Sequence, residues 1–446
     1  MKKIFTVMMT VCLGLVSVGC TGSGTAPKAN EASTGLPGAT GTTTTSKDSG
    51  KVTEVRVSWY GDANRTKIYN DTFDIIQKKL PDLKLVREFA ASGEYWTKLN
   101  TQVAGGNAPD LMIFTLDTLY DFAKRGQLLD LQPFADQGII HLNDFNPAIV
   151  NSGKVDGKLY TVSQGNSILG SYYNKDLFKK AGVSEPDLNW TWDDFSKAMI
   201  AIHTSLGKNV WGSEDLAGVN NVFQTFLKQK NKDLYKEDGS LGFEKSDMIE
   251  WFTLWDNMRQ QGGIPPADIS AEYKGKNEVE SILAAGKVAV SMSASNRLKL
   301  FQNVMKDELG MVRVPNVKGG TQFDLLAGVY MGIYTKSKFP KETARIIDAF
   351  ANDSEAAKAF GLLYGPVGSS KVMKELEPSI DPLMKKVNDF QVTVSKNVLP
   401  TVPYPTGSNA VNKLLSTEND AVAFKQKTVA QSVDDFFTEA QKILKK

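Results

Sequence analysis

Cys20 is the residue whose neighbours select a chemistry most directly. Lys2 and Lys3 open the chain, Ile4 to Val18 is an uncharged run of 15 residues, and Ser17-Val18-Gly19 sets small residues just before the cysteine. A positive start, a short apolar stretch and a small-residue cleavage site predict a secretory signal over residues 1–19, since a bilayer-crossing helix needs about 20 apolar residues. A thiol exposed at the new N-terminus is an acceptor for a diacylglyceryl group. The chain is therefore expected outside the cytoplasm, held at a bacterial cell membrane by lipid on Cys20. Leu is usual three places before such a cysteine, and Ser17 stands there with Val16 and Leu15 upstream. The competing reading is an ordinary secreted protein with a spare thiol.

Other reactive constellations are sparse. There is no Gly-x-Ser-x-Gly elbow, no Gly-Lys-Ser/Thr phosphate loop and no Gly-x-Gly-x-x-Gly fingerprint. His141 and His203 are the two histidines and share no metal-ligand spacing, while Cys12 lies inside the signal and leaves Cys20 without a pair. No metal, cofactor or histidine-based triad is expected. Fifty acidic residues keep paired-carboxylate chemistry open, because position along a chain does not give separation in space.

The elements that must position any site come from a long chain. Its 446 residues with 41% hydrophobic content exceed one compact domain. Without Lys2 and Lys3 the basic and acidic residues are equal at 50 each. Such a balance gives no basic face for nucleic acid and no polybasic membrane patch. Removal of the signal leaves no intramolecular disulfide to form, so stability must come from packing.

Residues 20–50 contain no aromatic residue, one Leu, and mostly Gly, Ser, Thr, Ala and Pro. Such a segment buries too little apolar surface to offset its ordering entropy and is expected to be a flexible tether reaching roughly 30 Å. After Lys51 the texture changes. Val55, Val57 and Trp59 alternate with polar residues as in a half-buried strand, and Ile68, Thr72, Ile75, Ile76 and Leu80 recur at helical spacing up to Pro81. Leu83 to Phe89 predicts a second strand, Ser92 an N-cap for a helix ending at Gly105-Gly106, and Leu111 to Phe114 a strand buried on both faces.

Further on, helices are expected over Trp192–Ser205, Val222–Lys230, Met248–Gln261, Lys341–Ala351 and Ala421–Leu444. Strands are expected over Lys287–Met292 and Gly310–Val314. The alternation predicts an α/β protein with a parallel sheet covered by helices.

Three stretches carry a family resemblance. They are VRVSWYGDANR from Val55, YWTKLNTQVAGGNAPDLMI from Tyr95, and GKLYTVSQGNSILGSYYNKDLFKKAG from Gly157; LLYGPVGS from Leu362 is a weaker fourth. In this order, behind the signal and tether, they resemble the family 1 extracellular solute-binding proteins of carbohydrate ABC transporters. The resemblance implies a two-lobe periplasmic-binding-protein-like fold of type II, with a ligand cleft between discontinuous lobes. By analogy the lobes are residues 51–163 with 315–366, and 164–314 with 367–446. The chain would cross near Thr161–Gln164, Val314–Asn316 and Gly365–Val367. It also implies hinge closure around a mono- or oligosaccharide, delivery to the permease subunits of an ABC importer, a monomeric state and no catalysis. The alternative is a surface glycosidase or lyase using paired carboxylates.

A sugar ring presents an apolar C–H face to an aromatic plane and hydroxyls to polar groups around its edge. Trp59 and Tyr60 end the first strand, where open α/β sheets place ligands. Either could be the plane; Trp59 also continues the Val55/Val57 core stripe, and Tyr60 points the other way. Asp62 would accept hydroxyl hydrogens, and Arg65 is either a fork for an acidic sugar or a surface arginine at a helix start. Trp96 is a second aromatic candidate or a packing residue. The family pattern adds Asp117 after the third strand, Gln164 and Asn166 at the first crossing, and Asn220 with Phe223 as a second-lobe aromatic wall, with Trp211 as a substitute. Ser293, Ser295 and Asn296 follow the Lys287–Met292 strand, where relatives often carry a tryptophan. Trp190, Trp192, Trp251 and Trp255 are expected in the core, leaving Tyr330 or Tyr364 as aromatic contacts from the last third.

Overall fold

The computed structural model describes residues 52–207, 209–398 and 404–445, with the side chains of Ser92 and Asp117 left aside. Cys20 and the predicted signal and tether lie outside the described residues. β1 (Thr53–Tyr60) buries Val55, Val57 and Trp59 as its alternation requires, but Ser58 and Tyr60 are buried too, so its carboxyl half is covered on both faces. The helix Ala63–Lys79 follows, with the Asp62 carboxylate accepting from Arg65 N at 2.8 Å. It turns Tyr69, Thr72, Phe73 and Ile76 inward. Tyr69 and Phe73 thus replace the Ile68 and Ile75 of the predicted stripe. β2 (Leu83–Ala90), the helix Ser92–Ala104 and β3 (Leu111–Thr115) complete the first half as expected, except that the helix is capped by Ala91 and begins at Ser92.

A small hairpin, β4 (Lys154–Val155) and β5 (Lys158–Leu159), leads into β6, which runs from Thr161 to Asn174 and is buried over its whole length. Three short strands, β7 (Trp211–Ser213), β8 (Val288–Ala294) and β9 (Leu309–Arg313), and the longer β10 (Leu326–Ile333) complete the set. The sheet order is β2-β1-β3-β10-β6-β8-β7, with β9 also on β6. β1 is parallel to β2 and β3, and β7 to β8; β10 and β6 introduce antiparallel pairings. The sheet is therefore mixed, not parallel as the strand–helix alternation suggested. β6 belongs to both ends of it: Thr161 to Ile168 pair with β10, and Leu169 to Asn174 with β8 and β9.

Packing divides along the same strand. Val55 through Val162 and Val329 through Tyr364 share one core. Leu169 through Leu325 contribute to a second, together with Val411 through Ala440. That second core holds Trp190, Trp192, Trp251 and Trp255, all buried as expected. Arg313 and Asp324, both buried, tie the ends of the passage from β9 to β10 through paired Nε contacts of 3.1 Å to each carboxylate oxygen. The C-terminal stripe read as one helix is two, Ser408–Ala423 and Val429–Leu444. Lys425 takes a left-handed φ of 59°, and Thr428 starts a new helix through a capping box with Gln431.

Candidate functional site

The carboxyl ends of β1, β7 and β8 and the strand crossings gather the polar and aromatic side chains of the candidate site. On the first half, Tyr60 is almost covered and packs on Tyr95 and Trp96, each with ring centroids 5.6 Å away. Arg65 lies half-buried above it, its guanidinium carbon 5.6 Å from the Tyr60 ring and 5.2 Å from that of Tyr364. The arginine stem folds over Gly61, where a Cβ would stand 2.3 Å from Arg65 Cδ. Asp62 is exposed and spends one oxygen capping the helix. Phe89, 53% exposed at the end of β2, borders a groove with Asp62, Asn70 and Glu94.

Where the chain crosses, Gly365 approaches so closely that a Cβ on it would sit 2.0 Å from Asn166 O. Its φ of +100° is one that glycine tolerates. Asn166 N donates to Pro366 O at 2.9 Å, and Gln391 Nε2 donates to Asn166 O and to Ser295 Oγ, each at 2.9 Å. Ser295 Oγ also accepts from Ile168 N at 3.1 Å. Asn296 accepts from Ser167 Oγ at 3.1 Å and donates to Leu363 O at 3.2 Å, tying β8's exit to the third crossing. Gln164 Oε1 accepts from Tyr69 Oη at 2.6 Å. Burial first, and the neighbouring Tyr364 phenol, hold Tyr69 protonated well above the usual range.

On the second half a cavity of about 350 Å³ opens at the ends of β7 and β8. Glu214, Asn221, Tyr273, Ser291, Ser293 and Arg297 are among its lining residues. Its charges are largely matched: Arg297 Nη2 meets Glu278 at 2.5 Å, Lys274 meets Asp420 at 2.5 Å, and Arg259 meets Asp215 at 2.6 Å. Glu214 is half-buried with its carboxyl turned to Ser291 Oγ, and burial pushes it up to about 7.

Several side chains expected at the ligand are buried within the fold. Trp59 is fully covered, stacked 5.1 Å from Tyr69 and 5.5 Å from Phe89, and belongs to the core. Phe223 is fully covered among Phe226, Phe243 and Trp251 and forms no wall of the cavity. Trp211 stacks on His203 away from the cavity, and Tyr330 is fully buried. Gln164, Asn166 and Ser295 are at most 1% exposed; Asn166 and Ser295 are engaged within the crossing, whereas Gln164 uses its Oε1 on Tyr69 and leaves its Nε2 without a partner. Asn220 opens the helix Asn220–Gln229, but its neighbour Asn221 lines the cavity. Asp117 falls in the first turn of the helix Leu116–Lys124, and its side chain is outside those described. Tyr60, Arg65 and Tyr364 are brought together, Trp96 backs Tyr60, and Ser293 lines the cavity. Glu214, Asn221, Tyr273 and Arg297 line the cavity but were not among the sequence candidates, since β7 is too short to mark Glu214 as a strand end.

Residues 71–386 match the model of the bacterial extracellular solute-binding protein family. The chain belongs to that family. This solute-binding protein is 25% identical over 410 residues to the arabinooligosaccharide-binding protein of Bacillus subtilis, covering 87% of this chain and 92% of that one. It is 24% identical over 310 residues to the multiple sugar-binding protein of Streptococcus mutans, covering 65% and 69%. Its fold matches that of an extracellular solute-binding protein family 1 member from Alicyclobacillus acidocaldarius with a TM-score of 0.77 and 25% identity, over 89% of this chain and 99% of that one. The relatives are binding proteins. The solute-binding protein accordingly has the two-lobe α/β fold, and among its described residues no helix is long and apolar enough to cross a membrane.

Proposed function

We propose that the chain captures a mono- or oligosaccharide outside the cytoplasm and passes it to the permease subunits of an ABC importer, without catalysis. One observation carries the reading: β6 runs unbroken through two cores, with concavities lined by polar side chains at the strand ends on either side. A ligand touching both sides favours the closed arrangement by its differential contacts, which is how capture becomes a shape the permease can read. The named binding proteins of Bacillus and Streptococcus support sugar as the ligand. The lobe limits proposed are residues 51–163 with 315–366, and 164–314 with 367–446. The return is drawn toward Leu326, because Val314, Phe323 and Leu325 pack in the second core. Lipid on Cys20 and the following tether would hold a monomeric receptor beside its permease.

A thermal-shift screen over neutral and acidic oligosaccharides, with product analysis on the same samples, tests the proposal. A binding sugar at a hundred times its Kd should add about 2.7 kcal/mol to stability and leave the sugar intact. Steady release of shortened or unsaturated sugar would instead make the protein a surface glycosidase or lyase.

A further inference from the structure

We infer that Arg65 makes this receptor a reader of anionic sugars, its guanidinium taking the carboxylate or phosphate of the bound saccharide. The inference rests on the sugar-receptor reading. Three other cations around the strand ends hold carboxylates: Arg297 with Glu278, Lys274 with Asp420, and Lys67 with Asp71. Arg65 has no such partner among the described residues; Asp62, three residues before it, is turned to the backbone N–H of Arg65. The Tyr60 and Tyr364 rings hold the half-buried guanidinium at 5.6 and 5.2 Å, and cation–π contact leaves the N–H edges of the fork unspent. Gly61 is the residue that lets the arginine stem lie there.

A second observation comes from the adjoining crossing. Gln164 is 1% exposed, its Oε1 is taken by Tyr69 one turn after Arg65, and its Nε2 donor is buried without a partner. A partly desolvated cation and an unspent buried donor are both costs that a bound acceptor relieves. A neutral hydroxyl answers the donor but leaves the charge uncompensated. A carboxylate or phosphate matches the planar fork with two charge-assisted bonds.

Isothermal titration of the full chain tests this with three probes: α-1,4-digalacturonate, its uncharged dimethyl ester, and a disaccharide phosphate. The expected result is that at least one anionic probe binds about ten- to hundredfold more tightly than the ester. Arg65→Ala should bring that ratio close to one, and Arg65→Lys should retain part of it, with free-protein melting temperatures unchanged. Preference for digalacturonate or for the phosphate identifies the source of the anion. Equal binding of charged and uncharged probes, or a ratio that Arg65→Ala and Arg65→Lys both leave intact, overturns the inference while the receptor reading stands. Binding of none of these or of any neutral oligosaccharide overturns both.

Discussion

Glu214 sits where the short strand β7 ends, its carboxyl accepting from Ser291 Oγ, and its titration gives the cavity a pH signature. Burial is the main cause of the rise to about 7, Asp215 adds to it, and the Ser291 and Met292 bonds work against it. A carboxyl raised above its unfolded value of 4.5 contributes stability that is fully present below pH 4.5 and lost as pH rises through about 7. Glu214→Gln should therefore gain about 1–3 kcal/mol over the wild type between pH 5 and 8. Parallel pH dependences of the two melting temperatures would show that Glu214 ionises freely. At this scale the sequence was partly legible. The end-of-strand rule led to Tyr60 and Ser293, and the chemistry of its guanidinium to Arg65, but β7 is too short to show a period, so Glu214 had no visible strand to terminate. Trp59 is one place from Tyr60 and lies on the core side, and an amide such as Asn166 does not reveal from its type that the chain will use it internally.

Elements with a clear period were legible, and β6 and β10 were not. β6 is buried throughout yet carries Ser163, Gln164, Asn166, Ser167, Ser171 and Asn174, so neither alternation nor an apolar run marks it. Asn166 and Ser167 are answered from the other crossings, by partners between 128 and 225 residues away that no local pattern contains. The break between the last two helices was equally hidden, because the apolar stripe resumes in phase after Thr428. The crossing itself yields a prediction. Gly365 combines a left-handed φ with a Cβ position 2.0 Å from a carbonyl oxygen, so Gly365→Ala needs both a strained backbone and displacement of Asn166. It should cost about 2–4 kcal/mol, measured by denaturant unfolding. A variant as stable as the wild type would mean that the crossings are not held this closely.

Under the proposed function the whole molecule must reconcile its hydrogen-bonded crossings with a change of shape on binding. Gln391, Ser295, Asn166 and Asn296 bind the crossings into one buried knot, so rotation of the halves is expected to occur about it with the cores intact. If Cys20 serves only as the anchor, shape change and binding belong to the folded body alone. Cys20→Ala should then leave the membrane fraction, bind its sugar with a Kd within about twofold of the anchored protein, and still contract on binding. A compact body of this size has a radius of gyration of roughly 21 Å, and small-angle scattering at saturating sugar should show a fall of a few per cent. Released protein that binds sugar without contracting would argue against hinge closure. Released protein that has lost binding would show that the anchor and the site are coupled.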